Sequence, residues 1–300
     1  MNTNVATKSV TLAARQTTGT RHTWRKLLGL FQTLLVHAIL IGLALSMLAP
    51  FLWMVSTSLK VRGEVFTIPL EWLPRTYHFE NYPNALNAAP FPRFFLNSLI
   101  IAVGVLVGRL VFCSMGAYAF ARLRWPGRDT VFLAYLSTMM IPGQVTLIPS
   151  FLIIYWLGWM NTYYALIVPG FASAFGTFLL RQFFITIPTE LEDAARIDGC
   201  NRFMILRYVI LPLSKQALAV LALFTFMEAW NEFLWPLLVT NSDSMRTVQV
   251  GLSVFKDQFY IIQWPELMAG TTVVTLPVLI VYLLAQKQLI EGIAMSGLKG

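Results

Sequence analysis

Four side chains able to bind a polar solute recur at helical spacing within an otherwise apolar stretch, at Glu228, Asn231, Glu232 and Trp235. Spacings of three and four residues place them along one face of a helix. A carboxylate at the centre of a membrane-spanning helix costs about 2.5–3.5 kcal/mol to insert, so these groups are expected to face a protein interior or water. With Trp230, they suit a polyhydroxyl compound, because carboxylates and amides exchange hydrogen bonds and indole rings cover apolar sugar faces. An aromatic belt at the outer end of the helix also explains them.

Two further polar features lie within apolar segments. Arg109 is near the middle of one, and we expect it to pair with Glu228 or Glu232; if it faces a pathway instead, an anionic solute such as a sugar phosphate fits better. A second segment contains Met-Ile-Pro-Gly-Gln at 140–144 and another proline at 149. Helix breakers at membrane depth need protein or a water-filled cavity to satisfy the freed backbone groups. We therefore assign Gln144 to a pathway, although a kinked packing helix is the alternative.

Residue patterns that would support catalysis are missing from the sequence. It contains no Gly-x-x-x-x-Gly-Lys-Ser/Thr phosphate-binding loop, no His-Glu-x-x-His pair and no Gly-x-Ser-x-Gly motif. Its two cysteines, Cys113 and Cys200, support neither a disulfide framework nor a metal cluster. We therefore predict that the chain is not an enzyme and holds no cofactor or metal.

A polar segment at residues 190–212 separates two apolar stretches and reads as two short helices joined at Gly199. Thr189 and Glu192 have the spacing of a capping box at the first helix. Ala194 and Ala195 leave one face nearly bare, so another protein could approach the backbone there. Gly199 permits the bend, and Pro212 removes a backbone donor where the chain enters the next apolar stretch.

The elements that position these residues are membrane spans. The chain has 300 residues, of which 57% are hydrophobic and 12% charged, and a mean hydropathy of +0.65. This composition indicates an all-α membrane protein, since about 20 apolar residues cross a bilayer as a helix. We predict six transmembrane helices at 27–57, 94–121, 131–157, 163–184, 209–238 and 267–285. The transmembrane domain then covers 27–286, between a flexible basic tail at 1–26 and a second tail at 287–300.

The distribution of Lys and Arg predicts the orientation. Fifteen of the 22 lie in the two tails, the 122–128 loop and the 181–215 loop, and six lie in the three opposite connections. Basic residues concentrate on the cytoplasmic side, so both termini and the 190–212 segment are expected there. The net charge of +8 therefore reflects topology, and we predict contact with membrane lipid but no nucleic-acid partner.

The 190–212 segment resembles the Glu-Ala-Ala loop of permeases of binding-protein-dependent ATP-binding-cassette (ABC) importers. That pattern is Glu-Ala-Ala, three residues, Gly, nine residues and Ile-x-Leu-Pro, matched here by Asp193, Ala194, Ala195, Gly199, Val209, Leu211 and Pro212. Asp193 replaces Glu and Val209 replaces Ile, which keeps charge and branching. Residues 117–128, the Trp-Asn-Glu-Phe-Leu-Trp-Pro run at 230–236 and the final Gly-Leu-Lys-Gly also resemble the sugar-transporting, maltose or glycerol-3-phosphate branch of this family.

The resemblance implies a type I ABC importer transmembrane fold in a prokaryotic inner membrane. It also implies a second homologous permease, two nucleotide-binding subunits that use ATP and Mg²⁺, and an extracytoplasmic binding protein that delivers the small-molecule solute. The coupling loop, 186–212, would dock the ATPase. Its assigned contact residues are Glu192, Asp193, Ala194, Ala195, Asp198, Gly199, Arg202, Leu211 and Pro212.

In maltose-type relatives, the connection corresponding to 239–266 reaches into the binding protein. By this resemblance we assign that role to Lys256, Asp257, Gln258, Tyr260 and Gln263; a loop that only packs on the membrane surface is the alternative. The implied solute is a sugar or related polyhydroxyl compound, with a sugar phosphate as the alternative. An ion-coupled secondary transporter is a further alternative, with Glu228 and Glu232 as the ion site.

Overall fold

The structure, a computed structural model, describes residues 4–255 and 262–297, with side chains described only between 29 and 287. Its described elements are almost entirely helical. The helices are α1 (Asn4–Ser58), α2 (Asn81–Asn87), α3 (Phe91–Arg122), α4 (Arg128–Ser137), α5 (Gly143–Trp156), α6 (Tyr163–Ile167), α7 (Ala174–Thr186), α8 (Glu190–Ile197), α9 (Arg202–Ile205), α10 (Leu211–Leu213), α11 (Lys215–Asn231), α12 (Leu234–Val239), α13 (Val248–Gly251) and α14 (Trp264–Gly297). Short 3₁₀ turns occur at Arg62–Glu64, Thr138–Met140, Val168–Gly170 and Leu252–Phe255, and a π-helical turn at Leu206–Ile210.

The chain divides into two units, Met1–Ser56 and Thr57–Gly300. The first unit is the helix α1, whose portion Gly29–Ser58 has a mean hydropathy of 2.2 and is long enough to cross a membrane. This helix begins at Asn4, so residues 4–26 of the predicted basic tail are helical.

The second unit is built around α3. This helix packs against α7 and α11, and α14 packs against α11 and α2. Close packing is possible because α3 carries small residues at the contact. A Cβ added to Gly108 would lie 2.1 Å from the ring of Phe171, so only glycine lets the segment between α6 and α7 approach this closely.

Two of the predicted spans are bent rather than continuous. In the third predicted span, the helical pieces 128–140 and 143–156 meet at an angle of 99°, and the break between them lies at Pro142, one of the predicted helix breakers. In the fifth, the pieces 202–213 and 215–231 meet at an angle of 84°. The fifth predicted span, 209–238, was wrong as one helix: its apolar helix α11 begins at Lys215, and a second break separates α11 from α12. Among the described residues, four helices can cross a membrane, or six if each bent pair is one span.

Candidate functional site

Three breaks in the helices of the second unit meet at one cavity of about 610 Å³. The breaks lie between α4 and α5, between α6 and α7, and between α11 and α12. Helix α3 supplies the remaining wall. The main lining residues are Ile101, Val105, Arg109, Thr138, Met139, Gly143, Thr146, Ser150, Pro169, Gly170, Ser173, Glu228, Glu232, Trp235 and Pro236. Broken backbone within a membrane is tolerated where it borders protein or a cavity, and Thr138, Met139 and Gly143, which flank the break at Pro142, line this cavity.

Arg109 and Glu228 form an ion pair in this cavity, which confirms the predicted pairing. Arg109 Nη1 donates to Glu228 Oε2, and Nη2 lies 3.4 Å from Oε1. Its Nε donates to the carbonyl of Gly170 at 2.9 Å, at the break between α6 and α7. The arginine side chain is 10% exposed and the glutamate 62% exposed. The carboxylate therefore faces the open space, and the guanidinium lies behind it.

Glu232 and Trp235 also line the cavity, at the break between α11 and α12. Glu232 Oε1 accepts a hydrogen bond from the backbone N–H of Trp235 at 3.1 Å, and so holds the first turn of α12. Trp235 Nε1 donates to the carbonyl of Ala165 at 2.9 Å, which fixes its ring against α6. A rigid indole beside two carboxylates is a surface that can hold a hydroxyl-rich ring.

Three residues assigned to the pathway, Trp230, Asn231 and Gln144, do not line the cavity. Trp230 is 2% exposed in the core and donates to the carbonyl of Val274 at 3.1 Å. Asn231 is exposed, donates to the carbonyl of Met227 and does not line the cavity. Gln144 is exposed but is also not among the lining residues, although its neighbour Gly143 is. The expectation of one continuous polar face was therefore wrong.

The 190–212 segment has the predicted two-part form. Helix α8 ends before Gly199, which has φ = +84°, a left-handed conformation that glycine adopts without strain. Asn201 then caps α9 by accepting from the N–H of Met204 at 2.9 Å. The predicted capping box was wrong, because Thr189 makes no side-chain hydrogen bond at the start of α8.

Glu192 instead points inward, where it meets Arg122 at the end of α3. Arg122 Nε lies 2.9 Å from Glu192 Oε1, in contact but without hydrogen-bond geometry, and the side chains are 7% and 3% exposed. Arg122 also donates to the carbonyls of Phe184 and Ile187 at the end of α7. Arg122 is not among the site residues predicted from the sequence, although a basic residue at the end of an apolar helix could have indicated a partner in the nearby loop.

The face of α8 available to a partner is consequently narrower than predicted. Ala195 is 8% exposed and packs in the chain's own core, so only Ala194 of the alanine pair is open. Ile197 is 88% exposed and Phe203 61% exposed, on the outer side of the loop. The other assigned residues Asp193, Asp198, Gly199, Arg202 and Pro212 are exposed, and Leu211 is half-buried.

The connection after α1 and the segment before α14 are described in part. Five residues before α14 are predicted to contact the binding protein. Four of them lie outside the described residues, namely Lys256, Asp257, Gln258 and Tyr260. The fifth, Gln263, is half-buried, and its backbone N–H donates to the carbonyl of Phe255 at 3.0 Å.

In the connection after α1, the side chain of Lys60 is fully buried and donates to the carbonyl of Glu71. Burial lowers the pKa of Lys60, and the Glu64 and Glu71 carboxylates oppose that shift. Arg75 donates hydrogen bonds to the Glu71 carboxylate, one of them from Nε to Oε2 at 2.9 Å, and these bonds lower the pKa of Glu71.

Comparison with known proteins gives concordant results. Residues 104–294 match the family described as "Binding-protein-dependent transport system inner membrane component". The sn-glycerol-3-phosphate transport system permease proteins UgpE of Yersinia enterocolitica and Salmonella typhi are 34% and 35% identical, over 86% and 88% of this chain and 94% and 96% of theirs. The probable ABC transporter permease protein YurM of Bacillus subtilis is 34% identical, over 84% of this chain and 83% of its own length.

Among solved structures, a chain of a bacterial ABC transporter involved in the import of the acidic polysaccharide alginate superimposes with a TM-score of 0.74. It is 27% identical, over 84% of this chain and 95% of that chain. A chain of the bacterial alginate ABC transporter bound to a periplasmic protein carrying alginate pentasaccharide gives a TM-score of 0.61 at 15% identity, which shows the fold alone.

Proposed function

Because this chain belongs to the family of binding-protein-dependent transport system inner membrane components, we propose that it forms half of a translocation pathway for a sugar or related polyhydroxyl solute. It is a permease subunit of an ABC importer and a multi-pass protein of the inner membrane. The observation that carries the proposal is the convergence of three helix breaks on one cavity lined by Glu228, Glu232 and Trp235. Carboxylate acceptors beside a fixed indole suit hydroxyl-rich rings, and few polar groups in a cavity suffice to orient a ligand.

The partners in this proposal are a second homologous permease, two nucleotide-binding subunits, and a binding protein that delivers the solute. ATP and Mg²⁺ belong to the nucleotide-binding subunits, since the sequence has no phosphate-binding loop of its own. The proposed chain has six membrane spans with both termini in the cytoplasm. The 190–212 segment, which docks the ATPase, is then also in the cytoplasm, where ATP is available.

The Arg122–Glu192 contact suggests how the loop could drive the pathway. Closure of the ATPase subunits would displace α8, and the buried ion pair would transmit that displacement to the end of α3. Helix α3 carries Arg109 into the cavity, so its movement would change the cavity wall. Alternating access then requires α8 to move as a rigid piece, which its internal helical bonds and its attachment to Arg122 allow.

The names of the glycerol-3-phosphate permeases favour a second candidate solute, a sugar phosphate. Arg109 is the lining residue that would bind such an anion, if its pairing with Glu228 opened.

Co-purification and transport with a loop variant test the proposed class. Tagged chain extracted from native membranes is expected to bring a second permease and an ATPase, and to import solute only with ATP. Ile197→Glu should lose the ATPase, because a charge replaces an apolar side chain that is 88% exposed. Ile197→Leu is the matched control; Ala195→Glu is less informative, because Ala195 is buried. Uptake that survives ATP depletion but collapses with the ion gradient would instead support a secondary transporter.

A further inference from the structure

The charges on the cavity wall carry an inference about the solute. We infer that this chain's half of the pathway selects against anions and accepts uncharged polyhydroxyl solutes, with Glu232 as a specificity-determining residue. This inference rests on the proposed function and decides between its two candidate solutes. It also separates this chain from relatives named for glycerol 3-phosphate and for an acidic polysaccharide.

The positive charge of Arg109 is already committed within the protein. Its Nη1 and Nη2 atoms face the two oxygens of Glu228, and its Nε atom donates to Gly170. With 10% of its side chain exposed, the guanidinium has little surface left for a solute phosphate. A phosphate arriving from the cavity would first meet the Glu228 carboxylate, which is 62% exposed. It would also have to displace that carboxylate from a charge-assisted pair of bonds.

Glu232 is a second carboxylate, and no lysine, arginine or histidine among the described residues pairs with it. It is exposed on the cavity wall, where it accepts a hydrogen bond from the uncharged backbone N–H of Trp235. Arg109, Glu228 and Glu232 are the charged residues that line the cavity within the described part of the chain. Two carboxylates against one guanidinium leave this wall with one net negative charge.

A net charge acts strongly at such a site. Low-dielectric walls focus the field of a charged group into a cleft, and the local concentration of ions of the same sign falls accordingly. An uncharged sugar does not experience this repulsion and can still donate its hydroxyl protons to both carboxylates. The same arrangement therefore attracts hydroxyl groups and repels a phosphate or a uronate.

Reaction rates of a cysteine in the cavity measure this charge without knowledge of the solute. Ser150→Cys places a thiol on the wall, in a Cys200→Ser background, while native Cys113 is buried at 1% exposure. In the assembled complex, the thiol is treated with a cationic trimethylammonium-ethyl, an anionic sulfonatoethyl and a neutral methyl methanethiosulfonate. The cationic-to-anionic rate ratio, divided by the ratio for free 2-mercaptoethanol, reports the local potential.

We expect a normalised ratio of about ten or more at this position. Glu232→Gln should lower it several-fold, since the amide oxygen can still accept from the N–H of Trp235 while the charge is removed. Glu228→Gln should lower it similarly by unmasking Arg109. Glu80→Gln, which removes an exposed carboxylate that does not line the cavity, should leave it unchanged, and a cysteine at exposed Asn87 on α2 supplies the baseline. A ratio near one that does not respond to Glu232→Gln would overturn the inference, as would a thiol inaccessible even to the neutral reagent.

Uptake by the reconstituted complex with its binding protein distinguishes a failure of the charge inference from a failure of the proposed function. The probes are neutral oligosaccharides and their phosphorylated and uronic-acid counterparts. ATP-dependent uptake of a neutral oligosaccharide alone is the expected result. ATP-dependent uptake of an anionic probe would overturn the charge inference and leave the importer intact. No ATP-dependent uptake of any carbohydrate would overturn the proposed function itself.

Discussion

At the scale of single residues, the Arg109–Glu228 pair is asymmetric. The two side chains meet across α3 and α11, yet one is 10% exposed and the other 62% exposed. A buried charge that loses its partner cannot be hydrated, whereas an exposed carboxylate can be. The two residues therefore have different consequences for stability when each is removed alone.

We expect Glu228→Leu to lower the free energy of unfolding by about 1–3 kcal/mol, because it leaves the buried guanidinium without its carboxylate. Arg109→Leu should cost less, since water can hydrate the remaining carboxylate. Thermal unfolding midpoints of the purified complex compare the two, with Glu232→Gln as a control that removes a cavity carboxylate without breaking an ion pair.

The double variant Arg109→Leu/Glu228→Leu tests the pairing itself. It should be no less stable than Glu228→Leu alone, because the stranded charge is gone. Additive losses from the two substitutions would show that the ion pair does not couple these residues.

At the scale of elements, α8 is attached to the bundle through Arg122 and Glu192. Both side chains are nearly fully buried, and Arg122 additionally bonds the carbonyls at the end of α7. Three elements, α3, α7 and α8, therefore meet at one guanidinium. Loss of that group should free α8 while leaving the bundle folded.

Arg122→Met is expected to cost about 3–5 kcal/mol locally, because it leaves the buried carboxylate of Glu192 without a counter-charge. Hydrogen exchange followed by mass spectrometry should then show lost protection across 190–212, together with weaker coupling of ATP hydrolysis to uptake. Arg124→Met, which removes an exposed arginine two residues away, should change neither.

The double variant Arg122→Met/Glu192→Met tests whether the unpaired Glu192 charge is what releases α8 in Arg122→Met. An apolar replacement of a buried ion pair is often neutral or stabilising, so protection of 190–212 should return. Protection that stays low in the double variant would mean that α8 is held by something other than this contact.

At the scale of the whole molecule, the orientation of the chain in the membrane is a prediction from the distribution of its basic residues. The two native cysteines lie in different places under this orientation, one within a membrane-spanning helix and the other in a cytoplasmic loop. Cys113 is buried within α3, and Cys200 is partly exposed in the 190–212 segment. The natural sequence therefore already carries one accessible thiol in the loop that we place in the cytoplasm.

A membrane-impermeant maleimide should label Cys200 in inside-out vesicles and not in intact spheroplasts. Cys200→Ser removes the signal, and Asn84→Cys in that background should be labelled only from the outside, since α2 lies in an external connection under the proposed topology. Labelling of Cys200 from outside the cell would reverse the orientation and remove the loop from the ATPase side.

Local patterns in the sequence determined the class of protein and the position of its main elements. Apolar length predicted helices at α3 and α14, and the proline at 142 and the glycine at 199 predicted a break and a bend that the structure contains. Such features depend on a few neighbouring residues, so the local sequence is sufficient to predict them. The family resemblance likewise rested on a contiguous motif and was confirmed over residues 104–294.

Only the tertiary structure decided which side chains share a site. Arg109 and Glu228 are 119 residues apart, and the choice of Glu228 over Glu232 depends on how α11 packs against α3. Trp230 lies in the core, where it donates to the carbonyl of Val274 on α14, and Glu192 turned inward because Arg122 offered a buried counter-charge. The direction in which a side chain points is set by the packing of elements distant in sequence, and helical periodicity alone contains no information about that packing.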